Sequence, residues 1–191
     1  MPTLARGPWR IDVVRRDGVE RLLPATRLAD AIAAALDAAG APSPASIGLV
    51  LSDDAELAEL NSEHMGKDGA TDVLSFPLLA PAAFPDHPGK ARPGEAAEAG
   101  DMTFAAGGFV LPPGRRVHLG DIIVSVERAV DQAEAGRGGH TGDVRWDARD
   151  ELRLLVTHGT LHVCGWDHAE PEEEVAMRAL ELALLRASPG A

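Results

Sequence analysis

Apolar and polar residues change their period several times along the chain, and each change marks an element. In WRIDVVRRDG, Trp9 to Gly18, Ile11 and Val13 fall on one side of an alternating pattern that ends in a turn signal, which predicts a strand. Thr26 to Ala39 is alanine-rich, with Leu28, Ile32 and Leu36 one helical turn apart and Gly40 behind them as a stop, which predicts an amphipathic helix. SIGLVLS (Ser46 to Ser52) reads as a second strand. Asp53 then opens a helix through DDAELAELNSEH with Leu57 and Leu60 inward. TDVLSFP (Thr71 to Pro77) is rich in strand formers and closes on proline, which suits a strand near a sheet edge.

The period is then lost. From Leu79 to Val117 the chain is dense in proline, glycine and alanine, and we read residues 79–117 as a mobile insertion with room for a short hairpin around MTFAAGGFVL. Its charges cancel, Lys90, Arg92, Arg115 and Arg116 standing against Asp86, Glu95, Glu98 and Asp101. LGDIIVSV (Leu119 to Val126) resumes as a buried strand and runs into a helix through ERAVDQAEAG. After a glycine-rich loop, Asp147 caps a helix through ARDELRLLVTHGTLHVC, with Leu152, Leu155 and Val156 on its apolar side. Pro171 and the acidic turn Glu172 to Glu174 begin a last helix, PEEEVAMRALELALLRA, matched to the helix dipole. There is no internal repeat. The order predicts one α+β domain over residues 1–191, a mixed β-sheet of about four strands packed against helices.

Composition narrows the class. With 45% hydrophobic residues the chain is that of a globular protein, and 191 residues suffice for a substantial core. Cys164 is the single cysteine, so an internal disulfide framework is excluded and a reducing compartment is expected. The first residues, MPTLARGPWRIDVV, hold no apolar run of signal-peptide length, and no stretch approaches the ~18 apolar residues of a membrane span. A soluble, cytoplasmic protein with no membrane partner is the expectation. The net charge of −12 argues against a large sequence-independent grip on nucleic acid.

The chemistry concentrates in THGTLHVCGWDH, Thr157 to His168. His158 and His162 stand one helical turn apart on one face, and Gly165 is where the helix can end and turn back to bring His168 to the same point. Any one of these histidines alone reads more readily as an ordinary surface or core residue. Three at the spacing H-x3-H-x2-G-x2-H point to one zinc ion per chain, with the fourth tetrahedral position left for water. Metzincin proteases share this spacing, but there a glutamate follows the first histidine as general base. Here that position is Gly159, so peptide hydrolysis by that route lacks its base. Asp167 is expected to hold a ligand imidazole or to cap the turn.

HGTLHVCGWDH resembles the H-G-x-L-H-L-x-G-Y-D-H signature of the YbeY family of bacterial zinc-dependent endoribonucleases. LNSEHMGKDGATDVLSFP (Leu60 to Pro77) is similar to a second signature of that family and LGDIIVS to a third, so the likeness covers Trp9 to Pro77 and Leu119 to Arg186. It implies an α+β fold with the histidine helix beside the sheet and zinc on His158, His162 and His168. It further implies cleavage of single-stranded RNA near the 3′ end of small-subunit rRNA and a part in ribosome quality control. Contacts with the ribosomal small subunit, through one of its proteins, and with an assembly GTPase are implied as well. Two positions depart from the family pattern: Met65 stands where an arginine is usual, and Ala70 where a proline precedes Thr71. Methionine cannot bind a phosphate as arginine does; Lys67 is a candidate substitute as a point charge.

Phosphodiester hydrolysis is therefore the leading expectation, with zinc lowering the pKa of a bound water and polarising a phosphoryl oxygen. The alternatives are a ribosome-assembly factor that binds without cutting, its zinc structural and its fourth site filled by Asp167, Cys164 or another side chain, and a metallohydrolase of another substrate class. Asp72 and Ser75, polar in an otherwise apolar strand, are candidate groove residues beside the metal, or else a polar outer face. Arg10, Arg15, Arg16 and Arg21 offer a basic strip, or simply a solvated one. Cys164 points about 200° away from His162 round the helix and is expected to be buried, as is Trp166. His64, His87, His118 and His140 lack companions at ligand spacing and read as surface or loop residues.

Overall fold

Helices and strands alternate closely enough to build one mixed sheet with helices against it. The computed structural model describes residues 2–90, 116–135 and 147–187. Its strands are β1 (Thr3–Arg6), β2 (Trp9–Arg15), β3 (Ala45–Ser52), β4 (Val73–Pro77) and β5 (Val117–Ser125), laid side by side in the order β1-β2-β3-β5-β4. β2, β3 and β5 are parallel, and the two outer strands β1 and β4 run antiparallel to their neighbours. The mixed sheet is as expected, with five strands where the sequence predicts about four. β1 escapes sequence reading because TLAR is four residues long with no buried position; it forms by pairing Thr3 to Arg6 against Asp12 to Trp9 across a tight turn. β4 lies at a sheet edge, as its closing proline predicts, since proline has no N–H for a further neighbour.

The helices are α1 (Ala25–Ala38), α2 (Asp54–Met65), α3 (Val126–Glu134), α4 (Ala148–Val163) and α5 (Pro171–Ala187). Three begin on side-chain caps, of which Asp53 and Asp147 are legible in the sequence. Asp53, Ser125 and Asp147 each accept a backbone N–H from the first turn of α2, α3 and α4, satisfying donors that have no partner inside the helix. At α5 the Glu173 carboxylate accepts from the Glu170 N–H, the acidic half of a capping box.

α4 is the central helix. It lies against β4, β5, α1, α3 and α5, and Leu152, Leu155, Val156, Leu161 and Val163 are all core residues. The close approach to the sheet depends on Gly159. A Cβ there would stand 2.7 Å from Ile122 Cγ2 and 3.0 Å from Val73 Cγ2, inside contact distance of two stiff β-branched side chains.

Residues Leu79 to Lys90, expected within a mobile insertion, are instead built onto the body. A short 3-10 turn at Pro81–Ala83 leads into Phe84, which is 4% exposed in the main core. His87 lies in a loop, within the surface-or-loop reading, but is half-buried there and stacks on Trp166 with ring centroids 3.9 Å apart and planes 10° from parallel. Asp167 N–H donates to the Gly89 carbonyl at 2.7 Å. The segment thus straps the turn between α4 and α5, a tertiary contact that no period in its own sequence announces. The hairpin expected around MTFAAGGFVL, the glycine-rich loop before Asp147 and His140 lie outside the described residues. Among the described residues no helix is long and apolar enough to cross a membrane.

Candidate metal centre

The turn that ends α4 delivers the third histidine. The chain reverses at Gly165, whose φ of +81° lies in the left-handed region that glycine alone enters freely. Trp166 N–H donates to the Leu161 carbonyl and Gly165 N–H to the His162 carbonyl, the paired bonds of a Schellman motif. His168 then returns to the helix face that carries His158 and His162. One nitrogen from each of the three rings lies within 4.8 Å of the others, and the ring centroids of His168 are 5.4 and 5.0 Å from those of His158 and His162.

Two ring orientations are fixed from behind. His158 Nδ1–H donates to Glu181 Oε1 at 2.7 Å and His162 Nδ1–H to the Trp166 carbonyl at 2.9 Å. With Nδ1 protonated, Nε2 of each ring carries a lone pair, and the two Nε2 atoms face each other 3.0 Å apart. Lone pairs in that arrangement repel unless a cation stands between them. Two nitrogens on one tetrahedral zinc at ~2.0–2.1 Å would be about 3.3 Å apart, so the donor set fits a divalent ion of this kind. Burial above all, then the neighbouring His158 and His168, pushes the His162 imidazole down to about 3, which keeps it neutral and ready to ligate.

Asp167 fulfils the capping half of its expectation, its Oδ1 accepting from the His168 N–H at 2.8 Å. The carboxylate that holds an imidazole is Glu181, which sequence reading missed. Cys164 is fully buried and burial pushes its thiol up to about 12, so it stays protonated in the core. Among the described residues neither Asp167 nor Cys164 joins the histidine cluster, so the fourth ligand that a closed structural zinc needs is not supplied by them.

A cleft of about 340 Å³ opens beside the histidines, with His158, His168 and Asp72 in its wall. Asp72 accepts from Gln132 Nε2 and from the Val73 N–H, both at 2.9 Å. Ser75 is turned to α4 instead, donating to the Gly159 carbonyl at 3.1 Å. Lys67 is exposed just beyond α2 and is not among the residues lining the cleft, and Met65 is exposed at the end of that helix. Glu151, Glu174 and Arg178 do line it, and nothing in their spacing alone marks them. The arginines of β2 and the segment behind it read as a solvated face. Arg16 is bidentate on Glu56 and Arg10 pairs with Asp12, while β3 and β5 separate β2 from the site-bearing edge. His64 packs edge-on against Phe76, and His118 contacts Ser46 and Asp121; neither belongs to the histidine cluster among the described residues.

The family model described as Endoribonuclease YbeY matches residues 19–188. A protein of that name from Salinispora tropica is 41% identical over 151 residues, 79% of this chain and 79% of the relative. One from Thermobifida fusca is 37% identical over 179 residues, 92% and 91% of the two chains. A solution structure from Thermotoga maritima aligns over 94% of this chain and 93% of its own at 18% identity, with a TM-score of 0.46. Three histidines on a helix and its exit turn are thus set in a sequence that is alike over most of its length, and the chain belongs to the Endoribonuclease YbeY family.

Proposed function

We propose that this chain is a zinc-dependent endoribonuclease that cuts single-stranded RNA, acting in maturation of the small-subunit rRNA 3′ end and in ribosome quality control. The observation that carries the reading is the convergence of three imidazoles, two of which, His158 and His168, stand in the wall of a cleft, in a chain of this family. His158, His162 and His168 would hold the ion. When bound, it supplies Lewis acidity, activating water and polarising a phosphoryl oxygen. The chain's own work is positional. Glu181 and the Trp166 carbonyl orient two of the rings, and Asp167 fixes the turn that presents the third. Gly159 faces the sheet, so the position that carries a general base in metzincins points away from the cleft here, in keeping with phosphodiester rather than peptide chemistry. Asp72 belongs to the substrate wall; Ser75 and Lys67 are the remaining substrate-side candidates. A cytoplasmic location, a small-subunit ribosomal protein and an assembly GTPase complete the proposal.

The test pairs metal content with cleavage. His158→Ala and His162→Ala are expected to lose bound zinc by elemental analysis and to lose cleavage of an end-labelled single-stranded RNA, while a duplex of the same sequence resists the wild-type chain. Wild-type cleavage rates in a verified zinc-free variant would overturn the reading.

A further inference from the structure

The cleft beside the histidines has an unusual charge pattern for a nuclease. Asp72, Glu151, Glu174 and Glu181 all contribute to its wall, and Arg178 is the one Lys or Arg among the described lining residues. Two of those carboxylates already accept hydrogen bonds, Asp72 from Gln132 and Glu181 from His158. On α5, Glu174, Met177, Arg178 and Glu181 recur at helical spacing and form a single face towards the cleft. Glu181 is tied to a metal-ligand histidine, so the register of this face against the ion site is fixed. Arg178 stands three residues from it, about 4.5 Å along the helix axis.

A phosphodiester entering this cleft meets acidic walls on a chain of net charge −12, so long-range attraction does not bring it in. It needs a local cation besides the ion, and α2 offers none: Met65 is apolar and Lys67 lies outside the lining. We propose that Arg178 is the phosphate-positioning residue of the cleft, its planar guanidinium receiving two non-bridging oxygens of the RNA backbone beside the metal centre. The inference rests on the endoribonuclease reading. Arg178 also has an interaction within the protein, so phosphate recognition has to be separated from a structural contact.

Full-length zinc-loaded wild type, Arg178→Gln and Arg178→Lys are compared. Binding to a fluorescent single-stranded RNA made cleavage-resistant by 2′-O-methylation, which leaves both non-bridging oxygens in place, is followed from about 50 to 200 mM salt, and kcat/KM is measured on the ordinary RNA. For Arg178→Gln, the slope of log affinity against log salt becomes shallower by about 0.7, the value of one phosphate contact on a single strand. Its kcat/KM falls about tenfold or more, with zinc content unchanged. Arg178→Lys keeps the slope and recovers part of the rate, since it retains the charge and loses the fork. An unchanged slope overturns the proposal, whether activity is kept or is lost together with stability, because the contact is then structural or idle. If the wild-type chain cuts no RNA, the endoribonuclease reading fails, and the binding slope alone still decides the role of Arg178.

Discussion

Glu181 is 8% exposed and accepts from Nδ1 of His158, the ring nitrogen turned away from the histidine cluster. A carboxylate in that place fixes the tautomer, stops the ring from turning and makes Nε2 a better donor to a cation. Glu181→Gln keeps the size and an acceptor oxygen but removes the charge. Its zinc affinity is expected to fall roughly 10-fold, towards the low end of the 10–100-fold cost of losing such a partner, and Glu181→Ala further. Competition with a chromophoric chelator reads both, and equal affinities across the three proteins would show that the carboxylate is a bystander. The histidines are legible in the sequence because their geometry is local: one helical turn, one glycine exit and three residues more. Glu181 is not, because 23 residues separate it from His158 and only the docking of α5 on α4 joins them. One signal was available, a carboxylate on the inward stripe of Met177, Glu181 and Leu185, where burial demands a partner. Nearness in sequence pointed to Asp167 for that task and was a poor guide.

At the scale of the element, α4 must satisfy the sheet on one face and the ion site on another. Gly159 is where the two demands meet, one residue after His158 and pressed on Ile122 and Val73. Alanine would raise helix propensity by about 0.8–1.0 kcal/mol. Against that gain, its Cβ would force apart γ-methyls of two β-branched side chains seated in a sheet, an overpacking cost of about 1–3 kcal/mol. The clash should win, so Gly159→Ala is expected to lower the urea midpoint with an unchanged m-value, and a midpoint at or above wild type would contradict the packing. Element existence was well marked where the apolar period was long, as in α1, or where a cap stood in front, as in α2 and α4. β1 and the strap from Leu79 to Lys90 were not marked. Four residues of β1 take their conformation from the β2 edge, and the strap is held by Phe84 and the His87 stack rather than by its own pattern.

For the molecule as a whole, what matters is whether the ion holds the fold or only completes a site on it. The main core runs from Trp9 through β3, β5 and α4 to Met177 and is built of apolar side chains. Folds of this size are stable by about 5–15 kcal/mol. An ion at 100 times its dissociation constant adds about 2.7 kcal/mol. That is a fraction of the total, worth roughly 5–11 °C in Tm for a chain of this length. Chelation is therefore expected to lower Tm by that amount while leaving one cooperative unfolding transition. His168→Ala, at an exposed residue that joins the α4–α5 turn to the ion, should unfold at the chelated wild-type temperature with or without zinc. A closed structural zinc behaves otherwise, because its removal unfolds the domain. Calorimetry thus separates the catalytic reading from that of a binding-only assembly factor without any RNA present: loss of the cooperative transition on chelation would favour the latter, and a modest downward shift the former.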